Sequence, residues 1–306
     1  MYSVKTCDLC GKKKFVPLVK RTIPAQEPWT SFIDINQFPL TICILMCWSC
    51  GWIFQDPVYD DEELQKLYGA DEKLLASGVT ISTDQYHDNE AYDRGENILS
   101  SIDPYLDDQK SNVLDVGGGK GELMTAFVRR GYKVTVIDLS SDSPSDGIAK
   151  IRSSLLAWNG GVYDVIILSH VLEHTPSPSE FLSHVKSLLS DGGILFVEVP
   201  FELLTPFVRR NVGDHRHLCY FTSTTLHNYL EQSGLHCIWC HHTAGVIGGN
   251  TIPLIRAVAT KESSPSQGAC WEQPRLMFMK SVLELLRPMP WIYRIRNKLT
   301  WGLNIF

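Results

Sequence analysis

The sequence lacks several features that would place the chain in whole classes of protein. It has no run of about 18 apolar residues, so no transmembrane helix is predicted. Its first residues, MYSVKTCDLCGKKK, contain no apolar core followed by small residues and do not resemble a secretory signal. We therefore expect a cytoplasmic protein whose nine cysteines serve metal or thiol chemistry rather than a disulfide framework.

Positive charge is also scarce. The formal net charge is −6, and residues 51–150 carry 20 acidic against 9 basic residues. A protein that grips nucleic acid presents a basic face, and here only the short GKKK run and the C-terminal region are basic. This charge balance speaks against nucleic acid as a partner. The 306 residues, 44% of them hydrophobic, are enough for one large domain and a small second one.

Two cysteine pairs stand near the N-terminus, CDLCG and CWSCG, separated by residues 11–46. A structural zinc site takes four tetrahedral ligands, which two C-x-x-C turns supply. The glycine after each pair, Gly11 or Gly51, lets the backbone turn back toward the metal. We predict a zinc-ribbon-like module with structural Zn²⁺, since four thiolates leave no open coordination position. The predicted ligands are Cys7, Cys10, Cys47 and Cys50.

From residue 111 the sequence alternates strand-like and helical segments. The runs SNVLDV, KVTVIDLS, YDVIILS and ILFVEVP predict strands, and GELMTAFVRRGY and SEFLSHVKSLLS predict helices. Such alternation is typical of an α/β fold, a parallel sheet with helices on both faces. The last two runs, LHCIWCHH and TIPLIRAVAT, predict an antiparallel hairpin at one sheet edge, so CIWCHH is interpreted as strand rather than as a second metal or haem site.

A glycine-rich turn, DVGGGKG, joins the first strand of this region to its helix. Glycines at Gly117 and Gly119 let a ligand lie against the backbone at the carboxyl end of the strand. Asp115 at the start of the turn favours a cationic or amino-bearing ligand, and a pyrophosphate would be repelled. Asp138, at the end of the next strand, is placed to accept hydrogen bonds from both hydroxyls of a ribose.

The motifs VLDVGGGKG, VTVIDLS, YDVIILSHVLEHTPSPSEFL and GGILFVEVP, in this order, resemble the class I S-adenosylmethionine-dependent methyltransferases over roughly residues 90–260. The resemblance implies a Rossmann-like sheet with S-adenosylmethionine as cofactor. Its amino-acid part would border Asp115, Gly117 and Gly119, its ribose would bind Asp138, and Ser169 and His170 would line the pocket near the methyl group. If IAKI is the third strand, Ser153 or Ser154 replaces the acid that the family places beside the adenine.

Histidines are the candidate proton acceptors, because imidazole titrates near neutral pH. His170 and His174 flank Glu173 in SHVLEH, where positioning and catalysis are both open roles. His215 and His217 flank an arginine in GDHRHLCYFT, a loop at the ligand edge of the sheet. His217 to Phe221 matches the H-x-x-x-F stretch of sugar and glycan methyltransferases, so we predict His217, His215 and His170 as the catalytic candidates.

The cysteine module followed by FQDPVYDDEELQKLY and this sheet resembles bacterial nucleotide-sugar C-methyltransferases and glycan-pathway methyltransferases. Those C-methyltransferases carry a further C-terminal domain, where this chain has residues 261–306, so O- or N-methylation is also open. The predicted divisions are a zinc module (1–56), a helical linker or lid (57–110), the cofactor-binding domain (111–260) and a basic amphipathic extension (261–306).

The predicted acceptor is a sugar, a nucleotide-sugar or a glycan. An RNA methyltransferase guided by the zinc module and a non-catalytic S-adenosylmethionine-binding partner are the two alternatives. The extension is expected to pack on its own chain or a sister subunit, or to lie on a membrane surface.

Overall fold

Two β-sheets organise the part of the chain that the computed structural model describes, residues 1–23, 40–60, 62–64, 86–106, 112–202 and 217–261. The smaller sheet is antiparallel, in the order β1-β2-β3-β9. Its strands are β1 (Phe15–Ile23), β2 (Leu40–Cys47), β3 (Ile53–Asp56) and β9 (Cys219–Tyr220).

The larger sheet has seven strands in the order β10-β11-β8-β7-β4-β5-β6. Strands β4 to β8 are mutually parallel, and β10 and β11 form an antiparallel hairpin that joins the sheet at β8. The predicted α/β architecture with its edge hairpin is therefore confirmed. The strands are β4 (Asn112–Val116), β5 (Lys133–Asp138), β6 (Ile148–Arg152), β7 (Tyr163–Ser169), β8 (Leu189–Pro200), β10 (His236–Ile247) and β11 (Asn250–Thr260).

Four helices of five or more residues are described: α1 (Tyr86–Ile102), α2 (Thr125–Arg129), α3 (Pro178–Leu188) and α4 (Ser223–Gln232). Residues 62–64 are also helical. Short 3₁₀ turns at Asp103–Tyr105, Glu122–Met124 and Leu172–His174 follow α1, precede α2 and follow β7. None of the helices in this described part is both long and apolar enough to cross a membrane.

One sequence expectation is wrong here. The polar stretch ISTDQYHDNEAYDRG favours a loop that enters a helix beginning at GENIL, but α1 already begins at Tyr86. Polar residues hid the helix because its first half carries no apolar stripe. Of the predicted extension only Lys261 is described, so the predictions for residues 262–306 lie outside the described residues.

The central strands are covered on both faces, which explains their unbroken apolar runs. Successive residues of β7 alternate between two clusters: Ile166 and Leu168 pack with α3 and α4, whereas Val165 and Ile167 pack with α1. Because side chains of a strand point alternately to opposite faces, one sequence run supplies both layers.

The first of these clusters also contains the N-terminal cysteine turns and the smaller sheet. Trp52 is its largest member at 1% exposure; its ring stacks on Phe54 at 4.4 Å and meets Tyr229 of α4 edge-on at 5.9 Å. Next to Trp52, the backbone of Ile53 in β3 pairs with that of Tyr220 in β9, so the two parts of the chain are also joined by strand pairing. The module and the larger sheet therefore share one core.

This shared core can be tested with two tryptophans of the module. Replacing Trp52 by Ala should lower the free energy of unfolding by about 3–5 kcal/mol, because it leaves a cavity where both parts meet. Replacing Trp48, which is 41% exposed and lies under Lys14, should cost less than about 1 kcal/mol. Denaturant unfolding of both variants measures the difference, and equal losses would contradict a common core.

Candidate functional site

Polar side chains collect where the parallel strands end. Asp115 lies on β4 next to its last residue, Asp138 ends β5, and Ser169 ends β7, where it pairs in register with Glu198 of β8. Parallel strands bring their carboxyl ends to one edge of the sheet, which is where ligands bind in open α/β folds. The residues predicted from sequence thus meet at a single edge.

The glycine turn after β4 has a backbone conformation and close contacts that favour residues without a side chain. Gly117, Gly119 and Gly121 have φ of 68°, 57° and 80°, the left-handed region that favours glycine. A Cβ on Gly118 would lie 1.9 Å from Oδ2 of Asp115. The bare backbone therefore lies directly over the Asp115 carboxylate.

Asp115 is a buried acid, with 1% of its surface exposed. Within the described residues Oδ2 has no hydrogen-bond partner. Burial and, to a lesser extent, the nearby Asp138 raise the pKa of Asp115 to about 8, although Arg94 opposes the shift. A buried carboxyl in this state favours a ligand that brings its own positive charge.

Asp138 holds the turn together. Its Oδ2 accepts a hydrogen bond from the N–H of Gly119 at 3.0 Å, and its Oδ1 accepts one from the N–H of Ser140 at 2.7 Å. A carboxylate has about four lone-pair positions, so two remain for a ligand. This geometry suits a pair of neighbouring hydroxyl groups.

A cavity of about 620 Å³ opens along this edge. The stretch IAKI forms β6, the third strand of the larger sheet in chain order, as expected. Ser153 and Ser154 follow this strand directly and line the cavity. On the other side the wall is formed by the turn after β7, by the start of α3 and by N-terminal residues. The lining residues used below are Tyr2, Asp60, Gly117, Asp138, Asp142, Ser153, Ser154, His170, His174, Thr175, Pro176, Ser177, Glu180 and Phe181.

A buried ionic network supports the cavity from beneath. Glu198 is fully buried; its Oε1 accepts from Nη2 of Arg94 at 2.8 Å and from Ser169 Oγ at 3.0 Å, and its Oε2 accepts from Nε of Arg256 at 2.6 Å. Burial disfavours the Glu198 anion, but the two arginines outweigh it and hold its pKa below the usual value. Ser169, predicted from sequence to line the pocket, belongs to this network, which we call the polar floor, and is not among the residues that line the cavity.

The turn after β7 carries a second buried acid. Glu173 is 1% exposed, and within the described residues neither of its oxygens has a hydrogen-bond partner. Nδ1 of His170 lies 3.3 Å from Oε1 of Glu173, and Nε2 of His174 lies 3.9 Å from it. Burial opposes ionisation of Glu173, but His170, His174 and His217 prevail and lower its pKa. His170 itself has φ 58°, an unusual conformation for a residue with a side chain.

His217 follows the segment 203–216 and packs edge-on against His174, with 4.8 Å between ring centroids. Its Nδ1 lies 2.5 Å from Oε2 of Glu202. Ligand atoms of Glu173, His174 and His217 lie within 4.8 Å of one another. These contacts place His217 beside the cavity wall, whereas His215 lies outside the described residues.

The four cysteines predicted as ligands meet at one point. Their sulfur atoms all lie within 4.8 Å of one another, with 3.5 Å between Cys7 and Cys50 and between Cys10 and Cys47. All four are free thiols. Hydrogen bonds from Cys50 and Cys7 hold the pKa of Cys47 well below that of an ordinary thiol. Tetrahedral zinc with about 2.3 Å bonds separates its sulfur ligands by about 3.8 Å, which these distances match.

Sequence reasoning missed the residues that act through distant partners. Arg94, Glu198 and Arg256 form the floor, Glu202 contacts His217, and Asp8 contacts the start of α3. Only the buried position of Glu198 in the apolar run ILFVEVP was a local signal, because a charge inside a central strand needs partners.

Comparison with known proteins agrees with this geometry. Residues 89–239 match the protein family described as "Methyltransferase domain". A crystal structure of Burkholderia thailandensis 1,6-didemethyltoxoflavin-N1-methyltransferase, with bound 1,6-didemethyltoxoflavin and S-adenosylhomocysteine, has the same fold. Its TM-score is 0.51 at 16% identity, covering 73% of this chain and 96% of that one. The larger sheet and its helices therefore have the fold of a methyltransferase domain.

Two relatives show how far the sequence likeness extends. The Ubiquinone biosynthesis O-methyltransferase of Xylella fastidiosa is 30% identical over 150 residues, 41% of this chain and 61% of that protein. The C-methyltransferase NovU of Streptomyces niveus is 28% identical over 169 residues, 50% of this chain and 40% of that protein. The chain spans less than two thirds of the length of either relative.

The unusual state of Asp115 has a consequence for stability. Between pH about 4, its unfolded pKa, and pH about 8 the folded protein retains a proton that the unfolded chain releases, so stability falls as the pH rises through this window. Replacing Asp115 by Asn removes this loss. We expect the unfolding free energy of the variant, relative to the original protein, to increase by at least about 1 kcal/mol from pH 5 to pH 9.

Urea unfolding of the ligand-free protein at several pH values measures this effect. Asp191→Asn is the control, because the Asp191 side chain is 86% exposed and should leave the pH profile unchanged. Parallel profiles for Asp115→Asn and the original protein would show that Asp115 ionises normally.

Proposed function

We propose that the protein transfers a methyl group from S-adenosylmethionine to a sugar or a sugar-linked metabolite, with His217 as the general base. The observation that carries this proposal is the contact of the His217–Glu202 pair with His174, which lines the same cavity as Asp138. The candidate base then lies directly behind a residue of the cofactor cavity.

The residues present fit S-adenosylmethionine. The ammonium of its methionine part would satisfy the buried Oδ2 of Asp115, and the bare glycine backbone admits this part closely. The ribose hydroxyls would take the two lone-pair positions that remain on Asp138. Ser153 and Ser154 would lie toward the adenine of the cofactor. When bound, the cofactor supplies an electrophilic methyl group on a sulfonium.

The remaining space favours an acceptor rich in hydroxyl groups. Asp60, Asp142 and Glu180 bring carboxylates to the cavity, and Tyr2 brings a phenol. Carboxylates accept hydrogen bonds from hydroxyls and repel anions, so sugar hydroxyls fit this wall better than a phosphate does. The relatives, one named an O-methyltransferase and one a C-methyltransferase, support methylation of either atom.

Glu202 supports the role of His217. A carboxylate on Nδ1 orients an imidazole ring and stabilises the imidazolium that forms when the other nitrogen takes a proton. The hydroxyl of the acceptor must lose its proton as the methyl group is transferred, and a positioned histidine does this near neutral pH. His174, which contacts both His217 and the cavity, would hold the acceptor beside the ring.

The N-terminal module would hold structural Zn²⁺. The sulfur distances fit tetrahedral coordination, and Cys7, Cys47 and Cys50 are buried, so no coordination position faces a substrate. We therefore assign the metal no step in methyl transfer.

The cofactor assignment is tested at Asp138. Replacing Asp138 by Ala should weaken binding of S-adenosylmethionine at least about tenfold, because the ribose loses charge-assisted hydrogen bonds and the glycine turn loses its anchor. Isothermal titration calorimetry measures the affinity. Asp146→Ala, an exposed acid between β5 and β6, is the matched control. Unchanged affinity in Asp138→Ala would remove Asp138 from the site.

The base assignment is tested at His217. Replacing His217 by Ala should lower kcat at least about 100-fold while the cofactor affinity stays within about twofold, since general-base catalysis contributes about 10²–10⁴-fold. Glu202→Gln should lower kcat less, because the ring keeps a hydrogen-bond acceptor. His236→Ala, with a half-exposed ring beside Glu231, is the control. Normal turnover of His217→Ala would transfer the role to His170 or His215.

The acceptor is sought by measuring S-adenosylhomocysteine release over a panel of nucleotide-linked 4-keto and 3-hydroxy sugars. Turnover confined to a keto sugar, with solvent deuterium exchanging next to the carbonyl, indicates C-methylation, whereas turnover with the hydroxy sugars indicates O-methylation. Turnover with RNA and no sugar would overturn the sugar assignment.

A further inference from the structure

The start of α3 is capped from far away in the sequence. Ser177, its N-cap residue, makes no side-chain capping bond of its own, and Pro178 has no N–H. Asp8 takes this role instead: its Oδ2 accepts the N–H of Ser179 at 2.9 Å, and its Oδ1 accepts the hydroxyls of Ser177 and Ser179 at 2.8 and 2.7 Å. A carboxylate there also complements the positive end of the helix dipole.

Asp8 is held in place by the cysteine cluster. It lies inside the first C-x-x-C turn, between Cys7 and Cys10. The turn is closed by hydrogen bonds from Cys7 N–H to Lys12 and from Gly11 N–H to Cys7, both 2.8 Å. The sulfur atoms of Cys7 and Cys10 fix the turn against the second cysteine pair, so the position of Asp8 depends on how these four sulfurs are held.

The segment that Asp8 anchors is a wall of the cavity. Thr175, Pro176, Ser177, Glu180 and Phe181, from the turn before α3 and its first residues, all line it. A chain of backbone hydrogen bonds also connects the turn before α3 to the cysteine module. The carbonyl of Glu173 accepts the N–H of Leu218, whose own carbonyl accepts the N–H of Gln55 from β3.

We propose that the four-cysteine module is a positioning element of the methyltransferase site, with Asp8 as the residue that transmits the state of the cysteine cluster to the cavity wall. A cluster that holds its metal keeps Asp8 on α3 and the 172–181 segment in its binding position. Loss of the metal releases that segment and weakens cofactor binding. This inference rests on the cofactor assignment of the proposed function.

The test compares three variants in the metal-loaded, full-length protein. Asp8→Ala should weaken binding of S-adenosylhomocysteine about fivefold, the equivalent of one lost helix cap. Asp8→Asn, which keeps one acceptor oxygen, should weaken it less. Ser183→Ala is the control: its hydroxyl donates to the carbonyl of Ser179 within α3, on the exposed side. Hydrogen exchange should speed up at residues 172–182 in Asp8→Ala and stay unchanged in Ser183→Ala.

Metal removal completes the test. The metal content is measured before and after treatment with a zinc chelator, together with the affinity for S-adenosylhomocysteine. Metal removal should weaken binding by the original protein by the same factor as the Asp8→Ala substitution does. Metal removal from Asp8→Ala should weaken its binding little further. If metal removal unfolds the chain, the metal-loaded proteins alone decide the test. Their affinity for S-adenosylhomocysteine should then fall in the order original protein, Asp8→Asn, Asp8→Ala.

Two results would overturn the proposal. In one, Asp8→Ala binds S-adenosylhomocysteine as tightly as the original protein and its exchange at residues 172–182 is unchanged. In the other, stripping weakens binding equally with and without Asp8. If the original protein does not bind S-adenosylhomocysteine, the cofactor assignment fails, and the exchange at residues 172–182 still reports whether Asp8 anchors the wall.

Discussion

The rest of the structure depends on the pairing of β3 with β9. This short antiparallel contact, Ile53 with Tyr220 and Phe54 with Cys219, joins a strand of the cysteine module to one that precedes α4 of the methyltransferase domain. Trp52 and Tyr229 are buried around it. Because the two parts share backbone hydrogen bonds and apolar surface, the module is a built-in wall of the site rather than an appended recognition domain.

The ligand edge contains three buried acids that are held in different states. Burial and Asp138 outweigh the attraction of Arg94 and raise the pKa of Asp115, whereas Glu198 lies between two arginines and Glu173 among three histidines, and both pKa values are lowered. The protein thus provides fixed partners for the acids that support the site. It leaves uncompensated the one acid that faces the glycine turn, where a cationic ligand is needed.

Local patterns carried most of what the sequence could predict. Strand alternation, the glycine turn with Asp115 and Asp138, the third strand at IAKI and the spacing of the cysteines are short-range signals, and the structure places each as expected. The partners Arg94 and Glu198 are 104 residues apart in the sequence, and Asp8 and Ser179 are 171 residues apart, so no local pattern predicts either contact. The early start of α1 was missed because polar residues hide it, and the role of His217 stays a prediction.

The order of strands in the smaller sheet also bears on how the chain folds during synthesis. Strands β1 to β3 are synthesised before most of the larger sheet, but their own sheet is completed by β9, at Cys219–Tyr220. The edge of β3 and the ring of Trp52 gain their partners only after β9 and Tyr229 have been synthesised. Such long-range closure is slow, and apolar surface and an open strand edge are exposed meanwhile. A metal held by the four cysteines, as proposed above, would keep the two cysteine turns together during this interval.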